Sequence, residues 1–238
     1  ARPNMVAFPD LFPSGIHLDS VGPRITELAA PIDGPTVRAL QEAARKNHVY
    51  IVAPIALLHG LSGVPYNSAV FINSDGTVQG SFDKVHLWAL ERFYFRAGHE
   101  FPVFDTEFGK VGILVCYDMG FPEAARTLAL KGAELIVCPS AWCVQDKDVW
   151  EINAPARALE NTVFLGAVNR FGHEGDDLYM HGGSMVCGPR GGKMCQMTEE
   201  VEGILYADLD FDEVRKNRVT SPYLRDRRAD AYGEVCAY

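Results

Sequence analysis

The sequence predicts a layered α/β fold in which two sheets lie between layers of helix, and three observations predict it. Strand-like apolar runs alternate with helix-like segments along most of the chain. Two pairs of strand-like runs face each other across turn sequences, "NSDG" at 73–76 and "GPRGG" at 188–192, which argues against all-parallel sheets. The runs "ELIVCP" and "TVFLGAV" are apolar at successive positions, so their sheet needs cover on both faces.

The elements follow in order. "MVAFPD" is an apolar run that ends at Pro9-Asp10, where a Pro-rich loop begins. "DGPTVRALQEAARKNH" sets Pro35 at a helix start with Val37, Leu40 and Ala44 on one stripe, and "VYIVAPIAL" reads as the buried strand it feeds. Two strand-like runs flank Asn73-Ser74-Asp75-Gly76, where Asp-Gly is expected to supply the positive backbone angles of a tight hairpin, and the second run delivers Lys84 at its end. "VGILVC" is a strand, and Pro122 and Gly132 bracket the helix "PEAARTLALK". The strand "ELIVCPS", the helix around "DVWEINAPARALEN", the strand "TVFLGAVN" and the hairpin "GSMVC"/"KMCQM" complete the pattern. The last stretch, "VTSPYLRDRRADAYGEVCAY", is polar and Pro-interrupted and is expected to run over the surface or across a partner subunit.

A chain of 238 residues with 47% hydrophobic content suits one domain with a sizeable core, here 1–238. Its formal charge of -9 opposes general attraction to nucleic acid or anionic membrane, so small-molecule partners are expected. No apolar stretch approaches a bilayer span, and the first residues lack a signal pattern; the expectation is a soluble, cytoplasmic protein. The six cysteines form no C-x-x-C pair and read as reduced thiols rather than a zinc cluster or disulfide framework.

Four residues can carry chemistry. Cys116 sits where a strand stops and a helix begins, a corner that suits both a core thiol and an exposed nucleophile with backbone N–H groups at hand. Lys84 reads as a solvated strand end unless a partner holds it. Glu91, seven residues on and two turns away if the segment is helical, is a candidate for that partner. Asp10 either solvates a turn or moves protons. A thiolate that attacks, a carboxylate that moves protons and a cation that stabilises an oxyanion form a sufficient set.

"FPDLFPSG", "KVHL" and "GILVCYDMGFPEAARTLALKGAELIVCPSAW", with "PARALEN" and "PYLRDRRADAY" further on, resemble the signature regions of the nitrilase superfamily of carbon-nitrogen hydrolases. The resemblance implies an αββα four-layer sandwich that assembles into dimers or larger oligomers. It also implies a Glu-Lys-Cys triad that hydrolyses non-peptide carbon-nitrogen bonds without metal or cofactor. Carried onto this chain, Cys116 is the nucleophile, Lys84 the oxyanion-side cation and Glu91 a second carboxylate that holds the geometry. The Tyr117 backbone N–H joins Lys84 at the oxyanion, and Trp142 lines the substrate pocket. The chain departs from the family pattern in placing Asp10 where a glutamate is usual and in lacking the first strand and helix before it. The expected activity is that of an amidase releasing acid and ammonia through a thioester. The alternatives are an N-carbamoyl amidohydrolase or nitrilase with the same triad, or a binding scaffold impaired by Asp10.

One polar cluster stays outside this set. "FGHEGDDLYMHGG" carries His173, Glu174, Asp176, Asp177 and His181 in no trusted metal spacing, and is expected to be a solvated loop without a metal.

Overall fold

A computed structural model describes residues 3–60, 63–198 and 200–236. Strand β1 (Met5–Ala7) leads through two single-turn helices, α1 (Leu18–Val21) and α2 (Ile25–Leu28), and the short β2 (Ala30–Pro31) to helix α3 (Pro35–Asn47). Then β3 (Tyr50–Leu58), β4 (Pro65–Ile72) and β5 (Val78–Asp83) form an antiparallel meander, and β1 and β2 both pair parallel with β3 to give a five-stranded sheet. The single turn α4 (Glu91–Tyr94) precedes β6 (Val103–Thr106) and β7 (Gly109–Ile113). Helix α5 (Pro122–Leu130), β8 (Leu135–Ser140), α6 (Lys147–Asn161) and β9 (Phe164–Asn169) continue as strand-helix-strand units with β7, β8 and β9 parallel. A separate hairpin, β10 (Phe171–Glu174) and β11 (Leu178–His181), is followed by β12 (Met185–Cys187) and β13 (Lys193–Gln196). The second sheet runs β13-β12-β9-β8-β7-β6, and α7 (Phe211–Thr220) follows it.

The period-two alternation of the strands builds the layers. Ile51, Ala53, Ile55 and Leu57 of β3, with Val70 and Ile72 of β4, pack in one cluster with Val37 and Ala44 of α3. The opposite faces, Tyr50, Val52, Ala69 and Phe71, join the second sheet's Phe104, Val111 and Ile113 in a different core. That core extends to Ala125 and Leu128 of α5 and Trp150 and Ala154 of α6. The order is helix, sheet, sheet, helix, the expected αββα sandwich. Gly112 lets α5 lie close on β7, since a Cβ there would stand 2.9 Å from a Leu128 methyl carbon.

Three sequence expectations change. In the first hairpin only Gly76 has positive φ, at 85°. Asp75 instead accepts the Thr77 N–H at 2.8 Å, so an Asx turn and one glycine make the connection. The polar stretch "FGHEGDDLYMHGG" is not a solvated loop but the β10–β11 hairpin. Its Glu174 accepts the Ile16 and His17 backbone N–H groups at 2.8 and 3.2 Å and pairs with Arg170, which straps the hairpin to the loop after Asp10. Helix α7 was not anticipated; Asp210 caps it by accepting the Asp212 N–H. The polar C-terminal stretch lies on the surface, with Tyr223 and Tyr232 bordering a groove beside Arg126 of α5 and Leu159 of α6. Among the described residues no helix is long and apolar enough to cross a membrane.

Candidate active site

Cys116 ends the extended run of β7 and opens a 3-10 turn, Cys116–Gly120, before Pro122 starts α5. Its φ is +51°, a left-handed conformation that costs a non-glycine residue about 1–3 kcal/mol and persists only where neighbours enforce it. The neighbours are identifiable. Asp118, fully buried, accepts the Val115 N–H at 3.1 Å and the His86 N–H at 2.9 Å. Arg157, within "PARALEN", donates to the Met119 and Gly120 carbonyls at 2.9 and 3.1 Å. Among the described residues four other non-glycine residues have positive φ. His48 and Thr162 are left-handed caps at the ends of α3 and α6, while Leu11 and Ala89 flank Asp10 and Glu91. Strain beyond ordinary helix ends is therefore concentrated on one site.

The three charged candidates meet in the interior. Lys84 follows directly on β5 and is 1% exposed, so it is no solvated strand end. Its Nζ lies 2.7 Å from Glu91 Oε2 and 3.6 Å from Asp10 Oδ2. Glu91 reaches it differently from the helical spacing expected: residues 84–90 form a non-helical turn, α4 begins at Glu91, and the Trp88 N–H donates to Glu91 Oε2 at 2.7 Å. Asn67 of β4, fully buried, joins the two carboxylates by donating from Nδ2 to Asp10 Oδ1 at 3.0 Å and to Glu91 Oε1 at 2.9 Å. Asp10 Oδ2 accepts no hydrogen bond. The Asp10 backbone is fixed by its N–H to the Ser140 carbonyl at 3.2 Å and by Arg170, which donates to the Asp10 and Leu11 carbonyls at 2.9 Å each.

The electrostatics follow from burial. Desolvation raises the Asp10 carboxyl to about 6, with Lys84 pulling it down and Glu91 pushing it up. Burial pulls the Lys84 ammonium down, but Glu91, Cys116 and Asp10 together outweigh it and hold it above the usual lysine value. Burial raises the Cys116 thiol, against the opposing pull of Lys84. The resting site therefore pairs a protonated thiol with a carboxylate raised to about 6, one oxygen of which accepts no hydrogen bond, beside a fixed cation. That set can accept a proton, form a thiolate and stabilise an oxyanion.

Cys116 and Tyr117 line a cavity of about 150 Å³. Its apolar wall is built by Ile16, Trp88, Trp142, Val149, Leu178 and Met180. Trp142 is both pocket wall and core: it is 9% exposed and packs on Trp150 at 5.7 Å between ring centroids. Its backbone is held by Asn169, which accepts the Trp142 N–H at 2.7 Å and donates to the Trp142 carbonyl at 3.1 Å. Asn67, Asp118, Arg170 and Asn169 escaped the sequence reading. Their one signal was a polar residue amid buried strand or turn positions, as in "YNSAVFI".

Comparison with known proteins gives a consistent picture. The family model described as carbon-nitrogen hydrolase matches residues 2–219. A probable nitrilase of Schizosaccharomyces pombe is 36% identical over 233 residues, 96% of this chain and 84% of that protein. The crystal structure of a carbon-nitrogen hydrolase from Helicobacter pylori G27 superposes with a TM-score of 0.93 at 31% identity, covering 99% of this chain and 86% of that one. A glutamate-to-glutamine mutant of the amidase from Nesterenkonia sp. AN1, showing covalent addition of the acetamide moiety of fluoroacetamide at the active-site cysteine, gives 0.82 at 30% identity, covering 95% and 81%. With the family model spanning most of its length and a relative this similar over nearly all of it, the chain belongs to the carbon-nitrogen hydrolases of the nitrilase superfamily.

Proposed function

We propose that this carbon-nitrogen hydrolase is an amidase in which Cys116 forms a thioester with the acyl group of a small amide. Asp10 takes the Cys116 proton through its free Oδ2, and the thiolate attacks the carbonyl carbon. The oxyanion is met by Lys84 and the Tyr117 backbone N–H. Asp10 then gives its proton to the leaving nitrogen, the carbon-nitrogen bond breaks and ammonia departs. Water next loses a proton to Asp10 and attacks the thioester, and collapse releases the acid and returns the proton to sulfur. Glu91 holds Lys84 throughout, and Asn67 orients Asp10.

The observation that carries this reading is the placement of Cys116 on a cavity wall, at a strained corner, with a buried lysine clamped between two carboxylates. The covalent adduct at the cysteine of the mutant Nesterenkonia amidase supports it. The test is a panel of short aliphatic amides, nitriles and ureas assayed for ammonia and for the acid. Acid with ammonia from amides alone supports the amidase; ureas or nitriles as the sole substrates would move it to the other branches, and no turnover would favour an impaired scaffold.

The remaining expectations belong to the same reading: one catalytic domain over 1–238, no metal or cofactor, and a homodimer or larger oligomer. The five cysteines whose side chains are described, Cys116, Cys138, Cys143, Cys187 and Cys195, are free thiols, which supports a reducing, cytoplasmic setting.

A further inference from the structure

The cavity wall at Cys116 is mostly apolar, and one carboxylate interrupts it. Asp146 closes the 3-10 turn Val144–Asp146 and occupies the N-cap of α6. An aspartate there ordinarily accepts an N–H from the first helical turn. Asp146 makes no such bond; its Oδ2 accepts the Cys143 thiol at 3.6 Å instead, and both residues line the cavity. Burial first, and then Asp146 itself, raise the Cys143 pKa, so the sulfur stays a donor that holds the carboxylate in place. Among the described residues no lysine, arginine or histidine forms a salt bridge with Asp146.

A carboxylate that borders a ligand cavity, forgoes its capping bond and lacks a protein cation is suited to a cation that arrives with the ligand. We propose that Asp146 binds an ammonium group at the far end of the substrate's acyl chain, while Trp88, Val149 and Leu178 pack its methylenes. The proposal rests on the amidase reading. A cavity of about 150 Å³ is benzene-sized, which limits the chain to a few methylenes. The net charge of -9 draws cations in the same direction.

The test uses Cys116→Ala protein, which binds amides without turning them over. Calorimetry at pH 7 compares 4-aminobutanamide, 5-aminopentanamide and 6-aminohexanamide with pentanamide, hexanamide and heptanamide, in which a methyl replaces each ammonium. At least one aminoamide should bind about tenfold or more tighter than its methyl counterpart, and the advantage should shrink with added salt. Adding Asp146→Asn, which removes the charge at nearly constant size, should bring the pair to near parity. Adding Asp146→Glu should move the optimum to the next shorter chain. Equal binding within every pair, or a preference that survives Asp146→Asn, would overturn the proposal. Wild-type turnover of the same six amides separates the two readings. Hydrolysis without preference leaves the amidase and removes the cation site; a binding preference with no hydrolysis does the reverse.

Discussion

Cys116 and Cys138 are neighbours that share burial and differ in access and in their charged surroundings. Both are buried, and burial raises both thiols, Cys138 to about 12. Cys138 lies in the middle of β8, 0% exposed, with its sulfur 3.5 Å from Ser140 Oγ. Cys116 sits at a positive φ, borders a cavity and has Lys84 pulling against its burial. A shifted pKa therefore does not separate the proposed nucleophile from the core thiol here. Access, a nearby cation and the proposed proton acceptor do.

The sharpest way to break that comparison is to truncate each sulfur. Cys116→Ala should lower amide turnover by more than about a thousandfold with the melting temperature nearly unchanged. Cys138→Ala should keep turnover within about threefold while losing roughly 1 kcal/mol of stability from the vacated core volume. Equal kinetic losses would mean that both act through packing.

Lys84 comes next. Lys84→Ala should cost about a hundredfold or more in kcat/KM, the scale of a lost oxyanion donor. Because Lys84 is clamped between buried carboxylates, the variant should also lose about 3–5 kcal/mol of stability. That deficit should shrink as pH falls and protonation discharges the carboxylates, which thermal melts across pH would read.

Asp10 sharpens the proton-acceptor half. Its Oδ2 stands 3.6 Å from Lys84 Nζ and accepts no hydrogen bond, whereas Glu91 reaches the same ammonium at 2.7 Å. Asp10→Glu should close that gap and raise kcat/KM about tenfold, and Asp10→Asn should remove most activity. A loss in both variants would mean that the site is shaped around the shorter side chain.

The smallest effect is a pH shift. In the proposed mechanism Asp10 must be ionised to take the thiol proton, so kcat/KM should fall as pH drops through about 6. The Asn67 amide stabilises the ionised form, so Asn67→Ala should move that inflection to higher pH while reducing the plateau several-fold. An unmoved inflection would reduce Asn67 to packing.

What was legible in the sequence follows the range of the interactions. The Cys116 corner was legible because strand, turn and helix are adjacent, with Pro122 marking the helix start. The layered sandwich was legible from apolar runs and two hairpin turns. Glu91 is a candidate partner of Lys84 on a seven-residue spacing that a helix would close; the pair forms, but without that helix, since residues 84–90 are non-helical and Ala89 at φ +44° turns the chain. Asn67 was illegible because its partners lie 57 and 24 residues away. The β10–β11 hairpin was misread for the same reason. Gly-Asp-Asp has loop composition, and the bonds from Glu174 that fix it reach back to Ile16 and His17.

The central claim is that an acyl group passes through Cys116. The most direct measurement is rapid quenching of wild-type protein with a turned-over amide in acid, followed by intact mass and peptide mapping. The account predicts one acyl group per chain, carried on the peptide containing Cys116 and absent in Cys116→Ala. Acylation of Cys143 or Cys138 instead, or steady turnover by Cys116→Ala, would contradict it.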